Sequence, residues 1–325
     1  MTKDQSPLIS VIIPTYKREE MLRQTLAEVL KQDYQNFEII VVDQTPIHQP
    51  ETVAYLEELT KTGKIKIFQV NWANLPGARN FGVRRSRGEI ILFIDDDVQL
   101  PEGFLTAHAK NYKRKDIGAI AGRVLDRMKL ANSGGELIID YLPEAAMDPG
   151  IAWYYIDLVH TVKPQQVISA RGCNMSFRRD IFNKYNLKFD ERFEGTAVRE
   201  ESDFCLGIRA TGLIIWYDPE AYLIHLGEET GGCHDISTRS ADYQVNLYHN
   251  HFLMAFKHLT FTQQLHLFYR LFDCQVLGHP PCNKSASPIK TLVRAIFYIL
   301  GFVKAIITII KSIWNDGQIY THQNP

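Results

Sequence analysis

Apolar residues fall in two alternating patterns along the first hundred positions. Residues 8–13, 37–42 and 89–94 are short, nearly continuous apolar runs, as in strands buried on both faces of a parallel sheet, and 64–70 alternates as a further strand. Between them, 18–32 carries Met21, Leu22, Leu26, Val29 and Leu30 at helical spacing, and 51–62 and 77–86 predict two more helices. Strand and helix in regular alternation predict an α/β nucleotide-binding sheet with crossover helices. The second half is less regular. Strands are predicted at 117–124, 166–170, 175–178 and 213–217, and a helix over 200–210. Residues 127–150, rich in Gly, Pro and acids, read as a long mobile loop. From 237 to 273 the chain reads as helical and rich in His and aromatic residues, and its histidines as packing residues rather than cofactor ligands.

The last segment has its own pattern. From 289 to 314 the only polar positions are Lys290, Thr291, Arg294, Tyr298, Lys304, Thr308, Lys311 and Ser312, apart from a single glycine, and they recur every three or four residues as one narrow helical stripe. A spanning helix with Lys304 near its centre costs about 2.5–3.5 kcal/mol on insertion scales. An in-plane helix with its cations toward the headgroups avoids that cost, so the pattern predicts monotopic membrane attachment ahead of a single span, with an oligomer contact third.

Composition narrows the class. The 325 residues are 45% apolar with a net charge of -1, which fits a globular chain and provides no basic field for nucleic acid. The N-terminus is polar and the first apolar run stops at Pro14, so no signal peptide is expected. Five cysteines, an odd number without C-x-x-C spacing, argue against a disulfide framework or zinc ribbon and for a reducing, cytosol-facing compartment.

Candidate chemistry gathers at the predicted strand ends, where open α/β sheets bind ligands. Directly behind 89–94 stand Asp95, Asp96 and Asp97. Three adjacent carboxylates need a cation among them, and a hard divalent ion, Mg2+ or Mn2+, shared with a diphosphate is the natural one. Pro14, Thr15, Tyr16, Lys17 and Arg18 follow the first strand with a rigid turn, a ring able to stack on a base and two cations. Asp43 follows the second strand, placed to accept from a base edge. Arg79 and Asn80 lie near the start of the third helix, where an arginine can neutralise carboxylate or diphosphate.

In their order and spacing, 10–16 (Ser-Val-Ile-Ile-Pro-Thr-Tyr), 41–43 (Val-Val-Asp), 75–80 (Leu-Pro-Gly-Ala-Arg-Asn) and the Asp triplet resemble the family 2 inverting glycosyltransferases, over roughly 8–233. The resemblance implies a GT-A fold and a nucleotide-diphospho-sugar donor, a UDP-sugar foremost. It implies a base held by Asp43, Asp97 as metal ligand, Asp95 and Asp96 toward the ribose, and a sugar pocket lined by 172–177. The family's Glu-Asp pair becomes Glu200-Glu201 here, so Glu201 is the implied general base, with Glu200 and Asp203 as fallbacks. His225 is implied as a second metal ligand, and 226–233 as a loop closing on the diphosphate through Gly231 and Gly232. The implied layout is a catalytic domain over 1–235, a helical extension over 236–285 and a membrane-associated helix over 286–325. A saccharide or lipid-linked acceptor in polysaccharide assembly at the cytoplasmic side of a membrane completes the expectation. Two alternatives are a sugar-nucleotidyltransferase, although the loop after the first strand is not Gly-rich, and a catalytically idle sugar-nucleotide binding module. An NAD oxidoreductase lacks its G-x-G-x-x-G.

Overall fold

The computed structural model describes residues 6–126, 140–150, 161–195, 197–228, 230–233, 240–280, 282, 284 and 287–321. Strands β1 (Ile9–Thr15), β2 (Phe37–Asp43), β3 (Lys66–Gln69) and β4 (Ile90–Ile94) run parallel. Helices α1 (Glu20–Leu30), α2 (Pro50–Lys61) and α3 (Leu75–Arg85) connect them. With β5 (Val98–Gln99), β6 (Ile117–Asp126), β7 (Gln165–Val167), β8 (Asn174–Arg178) and β9 (Ile214–His225) they form one sheet. Its order is β3-β2-β1-β4-β8-β6-β9-β5, with β7 beside β9.

The continuous apolar runs follow from covering both faces. Ile9, Val11 and Ile13 of β1 enter a layer with Leu22, Leu26 and Val29 of α1 and Leu56 and Leu59 of α2. Ile12 enters the opposite layer with Ala78 and Val83 of α3. That second layer is aromatic beyond β4: Phe93, Phe177, Phe189 and Phe204 pack together, with Phe189 and Phe204 stacked at 4.1 Å. Fully burying each such ring contributes about 1.5–3 kcal/mol.

Two register details position the site. β8 runs antiparallel to β4 with Ile94 opposite Asn174, so the next residues outward, Asp95 and Cys173, leave the sheet side by side. β5 pairs antiparallel with the end of β9, Val98 opposite His225. β9 is longer than the 213–217 expected, because Asp218 is held by Asn111 and Lys110 and irregularities in the β6 pairing, one of them between Gly122 and Val124, let the strand continue. Helix α4 (Phe104–Asn111) and the short α5 (Asp180–Asn183) had no counterpart in the sequence pattern, whereas α6 (Glu200–Ala210) lies where it was expected.

The stretch read as helical from 237 to 273 is two helices, α7 (Ala241–His258) and α8 (Phe261–Leu271), divided where Thr260 and Gln263 form a capping box. Residues 234–239 lie outside the described residues, as do 127–139 of the expected loop, while 144–147 form a single 3-10 turn. Three of the stretch's four histidines pack, His249 bonding Asn250 and Thr308, His251 facing the Leu247 carbonyl and His258 meeting Asp203, whereas His266 is exposed. One expectation is overturned. Cys274 and Cys282 are disulfide-bonded, their Cα atoms 5.4 Å apart, because a π-helical turn at Phe272–Leu277 folds the chain back. Cysteine usage therefore no longer argues for a reducing compartment.

Helix α9 (Pro288–Thr321) reverses the orientation foreseen for its polar stripe. The stripe faces the protein: Arg294 donates to the Val276 carbonyl, Tyr298 to the Phe268 carbonyl, and Lys304 to Glu194 and Asn246, while Thr308 meets His249 and Ser312 meets Arg192. The outward face is aliphatic, with Leu292, Ile296, Ile299, Val303, Ile307, Ile310 and Trp314 all exposed. The cations foreseen at the headgroups are thus, except for Lys290 and Lys311 near the ends, bound to the protein itself. Gly301 lets the helix approach α7 tightly, since a Cβ there would lie 2.5 Å from that of Tyr248.

Candidate functional site

The carboxyl ends of β1, β2 and β4 point to one edge, joined there by the ends of β9 and β6. The turn between β4 and β5 carries the Asp triplet. It is pinned from below by the buried Thr25 hydroxyl, which donates to the carbonyls of Asp96 and Val98 and accepts from the Val98 N–H. Nothing in the sequence pattern marked Thr25, which sits among the apolar positions of its helix.

The three acids have three environments. Asp97 is 3% exposed, with Oδ2 accepting from Arg18 at 3.1 Å and from the Glu228 N–H at 3.0 Å. Its Oδ1 lies 3.4 Å from His225 Nε2. Burial alone would raise its pKa, but His225, Arg18 and the Glu228 N–H outweigh it and hold the carboxyl below its usual range. Asp96, also buried, accepts from Thr15 Oγ1 at 2.6 Å. Its pKa is pushed up, first by burial and then by the charges of Asp97 and Asp95, against the opposing pull of Arg18 and Thr15. Asp95 is the outward member, its side chain 35% exposed, with Oδ2 3.9 Å from His225 Nε2.

Arg18, foreseen as a nucleotide-binding cation, clasps two loops in this structure. Besides Asp97 it donates to the carbonyls of Glu228 and Gly231, tying the loop after β9 to the loop after β1. Gly232 N–H bonds the Tyr16 carbonyl, and at Gly231, with φ +72°, a Cβ would lie 2.4 Å from the Lys17 carbonyl. These glycines therefore serve loop-to-loop contact in this structure. Tyr16 itself is half-buried with Lys17 over its ring, and Pro14 continues β1 opposite Val42.

Asp43 ends β2 and is held on both oxygens, Oδ1 by the Thr45 N–H at 2.9 Å and Oδ2 by His48 Nε2 at 2.9 Å. The other His48 nitrogen faces Glu19 at 3.1 Å. His48 and Glu19 were not singled out from sequence, and the only signal was a histidine shortly after the strand.

Arg79 and Asn80 do not reach the opening. Asn80 clamps the backbone of Phe189 from both sides and donates to Glu191. Arg79, 1% exposed, is ion-paired with Glu200, donates to the Gly172 carbonyl at 3.1 Å and lies over the rings of Phe93 and Phe189. Asp203 is likewise built in: Lys257 and His258 hold it at 2.7 and 2.9 Å. Of the three carboxylates at the head of α6, Glu201 is the partly exposed one. Its pKa is raised by burial, against the opposing charges of Arg199, Arg79 and Arg171. The charges of Asp95 and Glu201 both favour the charged form of Arg79, against the burial that lowers its pKa.

The donor set fits a divalent cation. Oxygen from Asp95, sulfur from Cys173 and nitrogen from His225 all lie within 4.8 Å of one another. His225 Nδ1 is buried with no hydrogen-bond partner among the described residues, so the ring can turn without breaking a bond there.

Residues 10–185 match the model of Glycosyl transferase family 2. Among curated relatives, the O-antigen biosynthesis protein RfbC of Myxococcus xanthus is 25% identical over 73% of this chain and 18% of its own length. The GalNAc(5)-diNAcBac-PP-undecaprenol beta-1,3-glucosyltransferase of Campylobacter jejuni is 34% identical over 31% of this chain and 33% of its own. The aligned parts thus span a third or less of these relatives. Among solved structures, S. aureus TarS 1-349 superposes with a TM-score of 0.58 at 16% identity, covering 91% of this chain and 80% of that one. The mannosyltransferase PcManGT from Pyrobaculum calidifontis, in complex with GDP-Man and Mn2+, gives 0.56 at 15% identity, covering 93% and 88%. The fold is the GT-A fold.

Proposed function

The chain belongs to glycosyl transferase family 2, and on that premise we propose that it is an inverting, metal-assisted glycosyltransferase working at a membrane surface in polysaccharide assembly. The observation that carries the reading is the meeting of Asp95, Asp97 and His225 at the strand ends, with Glu201, a carboxylate whose pKa burial raises, at the head of α6. Asp43, fixed by Thr45 and His48, accepts from the base edge of a nucleotide, and Tyr16 offers its ring as a stacking surface. Glu201 takes the proton from the acceptor hydroxyl while that oxygen bonds to the anomeric carbon and the bond to the diphosphate breaks on the opposite face. A carboxylate raised by burial is a stronger base than one in water. Asp97, Asp95 and His225 would hold the divalent ion, which neutralises charge on the departing diphosphate when bound.

The donor is a nucleotide-diphospho-sugar: the neighbour structures hold UDP-GlcNAc in one case and GDP-Man in the other. A lipid-linked acceptor fits a protein whose relative is named for an undecaprenol-linked substrate. The helix supports membrane contact, with a mean hydropathy of 2.1 over an 18-residue window within Pro288–Trp314 and 11% of that window buried. Its docked length from Arg294 to Ser312 is about 27 Å of helix, so a span in this arrangement would carry Asn246, His249 and Glu194 into hydrocarbon. The helix therefore lies along the surface, aliphatic side toward lipid.

Donor hydrolysis and transfer across UDP-, GDP- and dTDP-sugars, with Mn2+ and with chelator, test the reading. The expected result is metal-dependent turnover of one donor, lost by at least a hundredfold in Glu201→Gln with donor affinity kept. Loss of less than tenfold in that variant refutes the assignment of the base.

A further inference from the structure

Cys173 belongs to the apolar layer that holds Ile9, Val11 and Ile13 of β1. It is 5% exposed, precedes β8, and through the register of β4 and β8 comes beside Asp95 at the outer edge. Its thiol, the Asp95 carboxylate and the His225 imidazole place their donor atoms within 4.8 Å of one another. A tetrahedral divalent ion with bonds of about 2.0–2.3 Å sets its ligand atoms about 3.3–3.8 Å apart, so a side-chain adjustment of roughly 1 Å closes the cluster. Asp97 Oδ1 lies 3.4 Å from His225 Nε2, beside this three-residue cluster. Its other oxygen is taken by Arg18 and the Glu228 N–H, which fixes the direction in which Oδ1 points.

We propose that Cys173 is a metal ligand, giving this site a mixed oxygen, nitrogen and sulfur donor set that takes a borderline or thiophilic divalent ion, Zn2+ or Co2+, far more strongly than Mg2+. The proposal rests on the reading that Asp95, Asp97 and His225 hold a cation and adds a ligand and a preference to it. Mg2+ binds oxygen and keeps its waters, and it gains nothing from sulfur or imidazole; a thiolate and an imidazole are ligands of choice for Zn2+ and Co2+. The thiol loses its proton to solvent as the ion binds, since the thiolate is the coordinating form. Cys205 and Cys233, the other free thiols, do not join this cluster among the described residues.

The test is Co2+ titration of the full chain followed by absorption, with Zn2+ competition. The wild type should bind one Co2+ with a near-ultraviolet sulfur-to-cobalt charge-transfer band, present in Cys233→Ser and Cys205→Ser and absent in Cys173→Ser. Cys173→Ser should also weaken Zn2+ at least about tenfold while leaving Mg2+ affinity unchanged. Cobalt d–d bands that His225→Ala removes, with no charge-transfer band in the wild type, overturn the sulfur ligand and leave the cation site standing. A band that survives Cys173→Ser overturns it equally. Absence of any Co2+ binding overturns this inference together with the metal reading beneath it.

Discussion

Replacing Arg79 with Met separates a buried brace from a ligand-facing cation. The guanidinium is 1% exposed, paired with the equally buried Glu200, bonded to the Gly172 carbonyl and enclosed by Phe93 and Phe189. Met fills much of the same volume, so the main loss is electrostatic: Glu200 is left as a buried carboxylate without its Arg79 partner. Breaking a buried pair from one side costs about 3–5 kcal/mol. At about 2 °C per kcal/mol for a chain of this size, the melting temperature should fall by roughly 6–10 °C. Removing the second charge in Arg79→Met/Glu200→Gln should restore about 2 kcal/mol relative to the sum of the single changes. Urea unfolding followed by tryptophan fluorescence measures all four proteins, and calorimetry with a nucleoside diphosphate measures binding in each. If Arg79→Met unfolds within about 1 kcal/mol of the parent while nucleotide binding collapses, the brace is refuted and Arg79 is a ligand-facing cation.

Three further outcomes are expected. His48→Ala should raise the donor KM severalfold with kcat nearly kept, because Asp43 loses the imidazole that fixes its Oδ2; equal loss in both would place His48 elsewhere in the reaction. Glu38 is held down to about 2, since its bonds to Lys66, Ser10 and the Arg87 N–H outweigh the burial that would raise it. Its folded pKa lies below the ordinary value, so its stabilisation is complete above pH 4.5 and is lost as pH falls toward 2, and Glu38→Gln should flatten that part of the acid-denaturation curve. Gly301→Leu should push α9 off Tyr248 and His249 and lower the melting temperature, whereas Ile299→Leu on the open face should leave it within a degree.

The parallel half of the sheet was legible because strands covered on both faces leave continuous apolar runs, and Ile9–Thr15 and Ile90–Ile94 are such strands. β5 was not, since a two-residue strand has no period to read. The Asp triplet and Glu201 were visible as residues in the right order. What sequence order conceals is depth and direction. Arg79 and Asn80 belong to a recognisable motif yet turn inward, and Arg18 turns onto Asp97. Cys173 meets Asp95 only through the pairing of Ile94 with Asn174, a register no local pattern contains. The polar stripe of α9 was read correctly as a stripe, but a periodicity states which residues share a side and is silent about what that side touches.

If the protein works at a membrane surface as proposed, that helix also constrains how it searches. Lys304 is tied to Glu194 and Ser312 to Arg192, in the segment leading into the acids of α6. A molecule resting on lipid through the aliphatic side of α9 then carries its proton acceptor at a fixed elevation and tilt. Encounters with an acceptor embedded in the same bilayer become a two-dimensional problem, governed by surface density and lateral diffusion rather than by bulk concentration.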